Sequence, residues 1–159
     1  MAFDTSHQQT NQQDVLDRAR AAFLGLAVGD ALGATTEFMT PGEIRAKFKV
    51  HHKIIGKGWL HLKPGEVTDD TEMSLCIARA LLREATWDLR GSAVEFAAWL
   101  KGKPKDIGAT CRRGIRDFLM KDQLQTPYNE WDAGNGGVMR MAPVALFTLG
   151  DEALLEHCA

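Results

Sequence analysis

An excess of positive charge is the first thing this 159-residue chain lacks: nineteen Lys and Arg stand against twenty-one Asp and Glu, a net charge of -2. A nucleic-acid backbone asks for the opposite balance, which argues against nucleic acid as a partner. Long apolar runs are missing as well. The richest stretch, residues 21–34, is interrupted by Gly and Asp and falls short of the roughly eighteen residues of a membrane span, so no transmembrane segment is expected. Cysteine is scarce and scattered: Cys76, Cys111 and Cys158 are odd in number and far apart, which fits neither a disulfide framework nor a CxxC metal or redox motif. Each reads as a small apolar residue in a reducing compartment. The polar, Gln-rich residues 1–13 lack a basic region followed by an apolar one, so no secretory signal is read; a disordered tail and cytoplasmic residence are expected. What is present is 45% apolar and 25% charged residues, enough for one domain with a sizeable core.

The apolar residues repeat at helical spacing. Val15, Ala19, Ala22, Phe23 and Leu26 predict a first helix over residues 15–32. Within it Gly25, Gly29 and Gly33 form a bare ridge, which costs about 1 kcal/mol per internal Gly and calls for close approach of a backbone or ligand. Asp30 lies in the same apolar run, and a carboxylate there needs hydrogen bonds or a cation. Pro41 to Phe48 predicts one short helix in an otherwise loop-like stretch. Met73, Cys76, Ile77, Ala80 and Leu81 keep i, i+3, i+4, i+7, i+8 order and predict an amphipathic helix over 71–84. Ser92 and Glu95 read as a capping box opening another helix to Lys101, with Phe96, Trp99 and Leu100 inside. A fourth is expected over 107–120, and a fifth after Gly137 carrying Val138, Met141, Ala145 and Leu149. Residues 151–159 begin with an N-cap, Asp151, and read as a helix cut off in progress. No alternating strand and no repeat occurs, so the class is all-α, a multi-helix bundle.

Four stretches carry possible chemistry. In Val67-Thr68-Asp69-Asp70-Thr71-Glu72 two carboxylates and two hydroxyls cluster before the strongest helix, an oxygen set that suits Mg²⁺ or Mn²⁺. Asp69 as N-cap with Glu72 as capping-box partner accounts for the same pattern without a metal, and the two readings are compatible. Gly134-Asn135-Gly136-Gly137 lets backbone N–H groups approach an anion or ribose, although a plain turn explains it equally, with no P-loop Lys present. Asp106, just before Gly108 and Thr110, reads as a helix cap. Glu37 alone reads as a solvated acid, and none of the five histidines shows the pairing of a zinc helix.

Taken together, residues 21–38 (AAFLGLAVGDALGATTEF), 67–73 (VTDDTEM), 105–110 (KDIGAT) and 134–140 (GNGGVMR) stand in the order and rough spacing of the ADP-ribosylglycohydrolase family. From about Arg18 to Leu149 the chain resembles that family, and Gly58-Trp59-Leu60 is similar to the branch that acts on dinitrogenase reductase in the regulation of nitrogen fixation. The resemblance implies an orthogonal all-α bundle with two divalent cations, Mn²⁺ or Mg²⁺, that cleaves the N-glycosidic bond between ADP-ribose and an arginine side chain. It makes Thr68, Asp69 and Asp70 metal ligands, Asp106 the acid/base and Glu37 its helper. Gly108 and Thr110 would line the ribose side, and Gly134, Asn135, Gly136, Gly137, Val138 and Met139 would bind the nucleotide portion. It further implies an ADP-ribosylated target protein and a PII signalling protein that draws the enzyme to the inner membrane.

Two departures stand out. Ala109 occupies a position where relatives tend to carry Asn. No second acidic motif follows, whereas family members supply an Asp-x-Asp-Thr motif from a second half. Residues 14–159 therefore read as the N-terminal portion of the domain, with exposed apolar faces where the other portion, a partner or a second copy would pack. The competing expectation is a non-catalytic module that retains ADP-ribose or docks a protein without turnover.

Overall fold

In a computed structural model, which describes residues 12–158, the backbone forms seven helices and no strand among the described residues. They are α1 (Gln12–Gly33), α2 (Pro41–Phe48), α3 (Asp69–Glu84), α4 (Leu89–Lys101), α5 (Ala109–Lys121), α6 (Ala142–Phe147) and α7 (Glu152–Cys158). The all-α expectation holds. No helix is long and apolar enough to cross a membrane among the described residues.

Helix α3 is the hub, packing against α1, α4 and α6. The reason is legible in its sequence: Met73, Cys76, Ile77, Ala80 and Leu81, the five positions of the predicted stripe, are all buried, and that stripe faces two neighbours at once. One core cluster joins Ile77 and Leu81 to Val144 of α6 and Cys158 of α7; the other joins Met73 to Ala97 of α4 and Ile115 of α5. Phe96 packs against both clusters. Trp99 and Leu100 complete the α4 face on the second, and the Trp99 indole donates to Glu72 Oε2 at 2.7 Å. All three cysteines are free; Cys76 and Cys158 are buried, while Cys111 is only half-buried.

Several boundaries differ from expectation for physical reasons. Gln12 and Gln13, expected in a disordered tail, open α1; the rest of that tail, residues 1–11, lies outside the described residues. In α2, Thr40 and Glu43 exchange a full capping box ahead of Pro41, which sets that helix where the sequence puts it. The capping box proposed at Ser92 is wrong: Asp88 caps α4 by accepting from the N–H groups of Arg90 and Gly91, so Ser92 sits a turn inside the helix and Glu95 pairs with Arg83. The fifth helix starts later than expected. Residues 138–141 wind in turns, with the Val138 N–H donating to Asn135 and the Met141 N–H to Val138, and Pro143 then opens α6. Its buried face is Pro143, Val144 and Thr148, while Val138, Ala145 and Leu149 are exposed. Asp151 does cap α7, accepting from the Leu154 N–H at 2.9 Å.

Candidate functional site

A cleft of about 950 Å³ opens between the C-terminal half of α1, the start of α3, the N-terminal turns of α5 and the loop that precedes α6. Its acidic wall begins with Asp30. The α1 carboxylate accepts from the Thr68 N–H at 2.9 Å and the Thr68 hydroxyl at 2.7 Å, then from the Thr71 N–H at 3.2 Å and the Thr71 hydroxyl at 2.5 Å. Thr68 is the N-cap of α3 but makes no side-chain cap of its own. Asp30, from 38 residues away, satisfies the exposed donors of that helix end, where negative charge is favourable. The capping expectation for Asp69 is thereby corrected: Asp69 and Asp70 occupy the first two helical positions. They are left for other work.

A second loop supplies Glu37. Residues 56–62 fold back in a tight turn closed by paired hydrogen bonds between Lys57 and Leu62. Gly58 has φ +64°, and a Cβ there would press into the Ala34 carbonyl oxygen, so only Gly lets this turn lie on the end of α1. The Thr35 hydroxyl donates to the Gly56 carbonyl at 2.9 Å, and Trp59 then reaches Glu37 Oε2 with its indole N–H at 2.7 Å. The Phe38 ring meets Trp59 edge to face at 5.3 Å. Glu37 is thus a positioned acid, against the solvated reading its sequence context suggested.

Asp106, Ile107 and Gly108 arrive from the loop before α5. Gly108 is the N-cap and no side chain caps that helix, so Asp106 is not the helix cap its position suggested; its carboxyl lines the cleft. Burial raises the Asp69 carboxyl above the ordinary range, and the Asp106 charge raises it further. Asp70 is raised by burial and then by Asp30 and Asp69. Asp106 is raised by burial and then by Glu37. These neighbouring carboxylates repel one another, and none of them has an ion-pair partner among the described residues to offset it. The donor chemistry is oxygen-only and anionic, the kind a hard divalent cation takes. Among the described residues, however, no three His, Cys, Asp or Glu side chains gather closely enough to hold a metal ion.

Thr110 opens the far wall, but its hydroxyl is engaged, donating to Asp132 Oδ1 at 2.9 Å. Asp132 also forms an ion pair with Arg113, so the loop before α6 is fastened to α5. Gly136 meets α5 directly, where a Cβ would collide with Cys111 Sγ. Gly134, Asn135, Gly136, Gly137 and Met139 line the cleft with Thr68, Asp69, Asp70, Glu37, Asp106, Gly108 and Thr110. Of the residues that the resemblance assigns to the site, Val138 alone is not in that lining; it is 78% exposed. The ridge of Gly25, Gly29 and Gly33 also faces the cleft. The close approach expected there is not met by any described atom within 4 Å. Ala109 lines the cleft as well. Sequence reasoning passed over Asp132, Trp59 and Arg140 as site residues, although Trp59 and Arg140 stand inside the stretches that carry the resemblance; Asp30 carried its own signal, as a lone acid in an apolar helix.

Comparison with known proteins gives one consistent result. The model of the ADP-ribosylglycohydrolase family matches residues 11–159. The chain is 58% identical to the ADP-ribosyl-[dinitrogen reductase] glycohydrolase of Rhodospirillum rubrum over 89% of its own length and 48% of that protein's. It is 32% identical to the ADP-ribosylarginine hydrolase Tri1 of Serratia proteamaculans, covering 93% of this chain and 44% of the relative. A solved ADP-ribosylglycohydrolase-related protein complex superposes with a TM-score of 0.77 at 34% identity, over 92% of this chain and 48% of the other. The chain spans about half the length of the curated relatives it matches.

Proposed function

Since the chain belongs to the ADP-ribosylglycohydrolase family, we propose that its cleft is the N-terminal share of a site that removes ADP-ribose from an arginine side chain. The observation that carries this reading is the convergence of the acidic wall and the Gly-rich loop, far apart in sequence, on one cavity. The target protein is dinitrogenase reductase, by analogy with the relative that is 58% identical; regulation by a PII protein at the inner membrane follows from the family resemblance alone.

Glycosidic cleavage passes through an oxocarbenium-like state, which negative charge beside the ribose stabilises. Asp106 is suited to moving the proton, because burial and the neighbouring Glu37 charge raise its affinity for one. The Trp59 indole holds Glu37 in place beside it. Thr68, Asp69 and Asp70 would hold a divalent cation, Mn²⁺ or Mg²⁺, and the two-ion centre of the family, when bound, orients ribose hydroxyls and polarises a water. The remaining ligands would come from the half of the relatives' length that this chain does not span. The absence of a three-ligand set among the described residues favours a second reading for the chain by itself, retention of ADP-ribose without turnover.

Release of ADP-ribose from ADP-ribosyl-arginine, followed with and without Mn²⁺, tests the proposal. Mn²⁺-dependent release that disappears in Asp70→Ala, with the helical circular dichroism intact, supports it. Tight ADP-ribose binding with no release in either condition supports the binding module. Full activity in Asp70→Ala refutes the metal assignment.

A further inference from the structure

Between Arg45 and Lys63 the chain carries six cations, Arg45, Lys47, Lys49, Lys53, Lys57 and Lys63, and no Asp or Glu, although its net charge is -2. All six are exposed. None of them forms an ion pair among the described residues. The acids that flank the stretch in sequence are already engaged: Glu43 closes the capping box of α2, and Glu66 pairs with Lys105. A solvated face ordinarily mixes both signs, whereas a run of one sign left without partners sets up a local positive field. The C-terminal end of α1 favours nearby cations, but that effect fades within about one turn and does not account for six.

The stretch is fastened beside the cleft. His51 donates from Nε2 to the Leu32 carbonyl at 2.9 Å, the Gly56 carbonyl accepts from Thr35, and the Trp59 indole donates to Glu37. Trp59 and Phe38 line the cleft, yet they are 49% and 80% exposed. Phe38 holds that place at φ +60°, a backbone conformation costly for a bulky residue. Val50 and Ile54, within the basic stretch, are exposed as well. Aromatic and apolar side chains left in water among charged ones are the composition of a docking surface.

We propose that the surface from Arg45 to Lys63, with Phe38 and Trp59 at its inner edge, docks the ADP-ribosylated protein, and that the modified arginine of that protein is set in an acidic face. A folded protein that puts a side chain into the cleft lies over the rim from which Trp59 reaches Glu37. The carboxylates inside the cleft repel such a face, and the cations beside them draw it in and orient it. This inference rests on the ADP-ribosyl reading of the cleft and adds to it the surface chemistry of the target.

Fluorescence anisotropy with three ADP-ribosyl-arginine peptides of equal length, their flanks acidic, neutral or basic, tests it, with EDTA present to hold turnover off. Single exposed charge pairs are weak, but several acting together predict about tenfold tighter binding of the acidic peptide than the neutral one at about 50 mM salt. That gap should fall below about threefold at about 300 mM. In a Lys53→Glu/Lys57→Glu variant, shown to be folded by circular dichroism, the preference at low salt should drop below about twofold, with affinity for free ADP-ribose within about twofold of the parent. Equal affinity for the acidic and neutral peptides overturns the surface, as does an undiminished preference in the variant. Lysine-dependent capture by phosphatidylglycerol vesicles without any preference among peptides also overturns it, in favour of a membrane. An acidic peptide that binds equally well without its ADP-ribose keeps the surface and overturns the ADP-ribosyl reading. Binding of no peptide overturns both.

Discussion

Replacing Asp30 tests the joint between α1 and α3 on which the acidic wall stands. Oδ2 of Asp30 accepts three hydrogen bonds, from the Thr68 N–H, the Thr71 N–H and the Thr71 hydroxyl, and Oδ1 accepts one from the Thr68 hydroxyl. Asp30→Ala leaves all four of these donors at the start of the hub helix without their acceptor. Hydrogen bonds to a charged group are worth about 1.5–3 kcal/mol each and a lost cap about 1 kcal/mol, but they are not additive. Asp30 is only half-buried in an open cleft, so water recovers part of the loss. Removing its charge also relieves Asp70 and Asp106. A net cost of about 3 kcal/mol remains, or roughly 6–12 °C in melting temperature for a domain of this size. Asp30→Asn keeps one oxygen for the Oδ2 cluster, and its amide can face the Thr68 hydroxyl, so only the charge assistance is lost, about 1 kcal/mol. Melting followed by circular dichroism at 222 nm would read both. The reasoning fails if Asp30→Ala melts within about 2 °C of the parent, or if Asn is as damaging as Ala.

Three further outcomes follow from the same geometry. Burial and neighbouring carboxylates raise Asp70, so its ionisation costs stability as pH climbs past the ordinary carboxylate range and that cost vanishes in acid. Without divalent cations Asp70→Asn should therefore melt above the parent at pH 7.5, with the difference shrinking toward pH 4; the reverse trend would contradict the repulsion. Gly58→Ala must hold φ +64° and drive a methyl group into the Ala34 carbonyl, which should cost about 2 kcal/mol or more; a denaturant midpoint equal to the parent's would show that the turn does not lie on α1. The Ser92 hydroxyl is buried without a hydrogen-bond partner among the described residues, so Ser92→Ala should be neutral or stabilising by about 1 kcal/mol, and a marked loss in urea unfolding would reveal a partner for it.

How much of this was readable in the chain depends on the range of the interaction concerned. The α3 stripe and the α2 capping box were readable because both are local repeats of one helix, and the structure buries that stripe and closes that box. The Ser92 capping box was misread because Asp88 supplies an equally good local cap one turn earlier. The start of the fifth helix was misread because α6 begins at Ala142, with Pro143 in its first turn, four residues later than a start at Val138 directly after Gly137.

The cleft divides along the same line. Residue types and motif order, by themselves, determined the all-α class, the family, and which acids and glycines deserve attention, since those depend on neighbours a few positions away. Only the tertiary structure decided that Asp30 caps α3 and so releases Asp69 and Asp70, that Trp59 anchors Glu37, that Asp132 occupies Thr110, and that Arg140 stacks on Phe96. Each of those facts is a contact between segments tens of residues apart, and no periodicity along a chain encodes which donor meets which acceptor once the helices have packed.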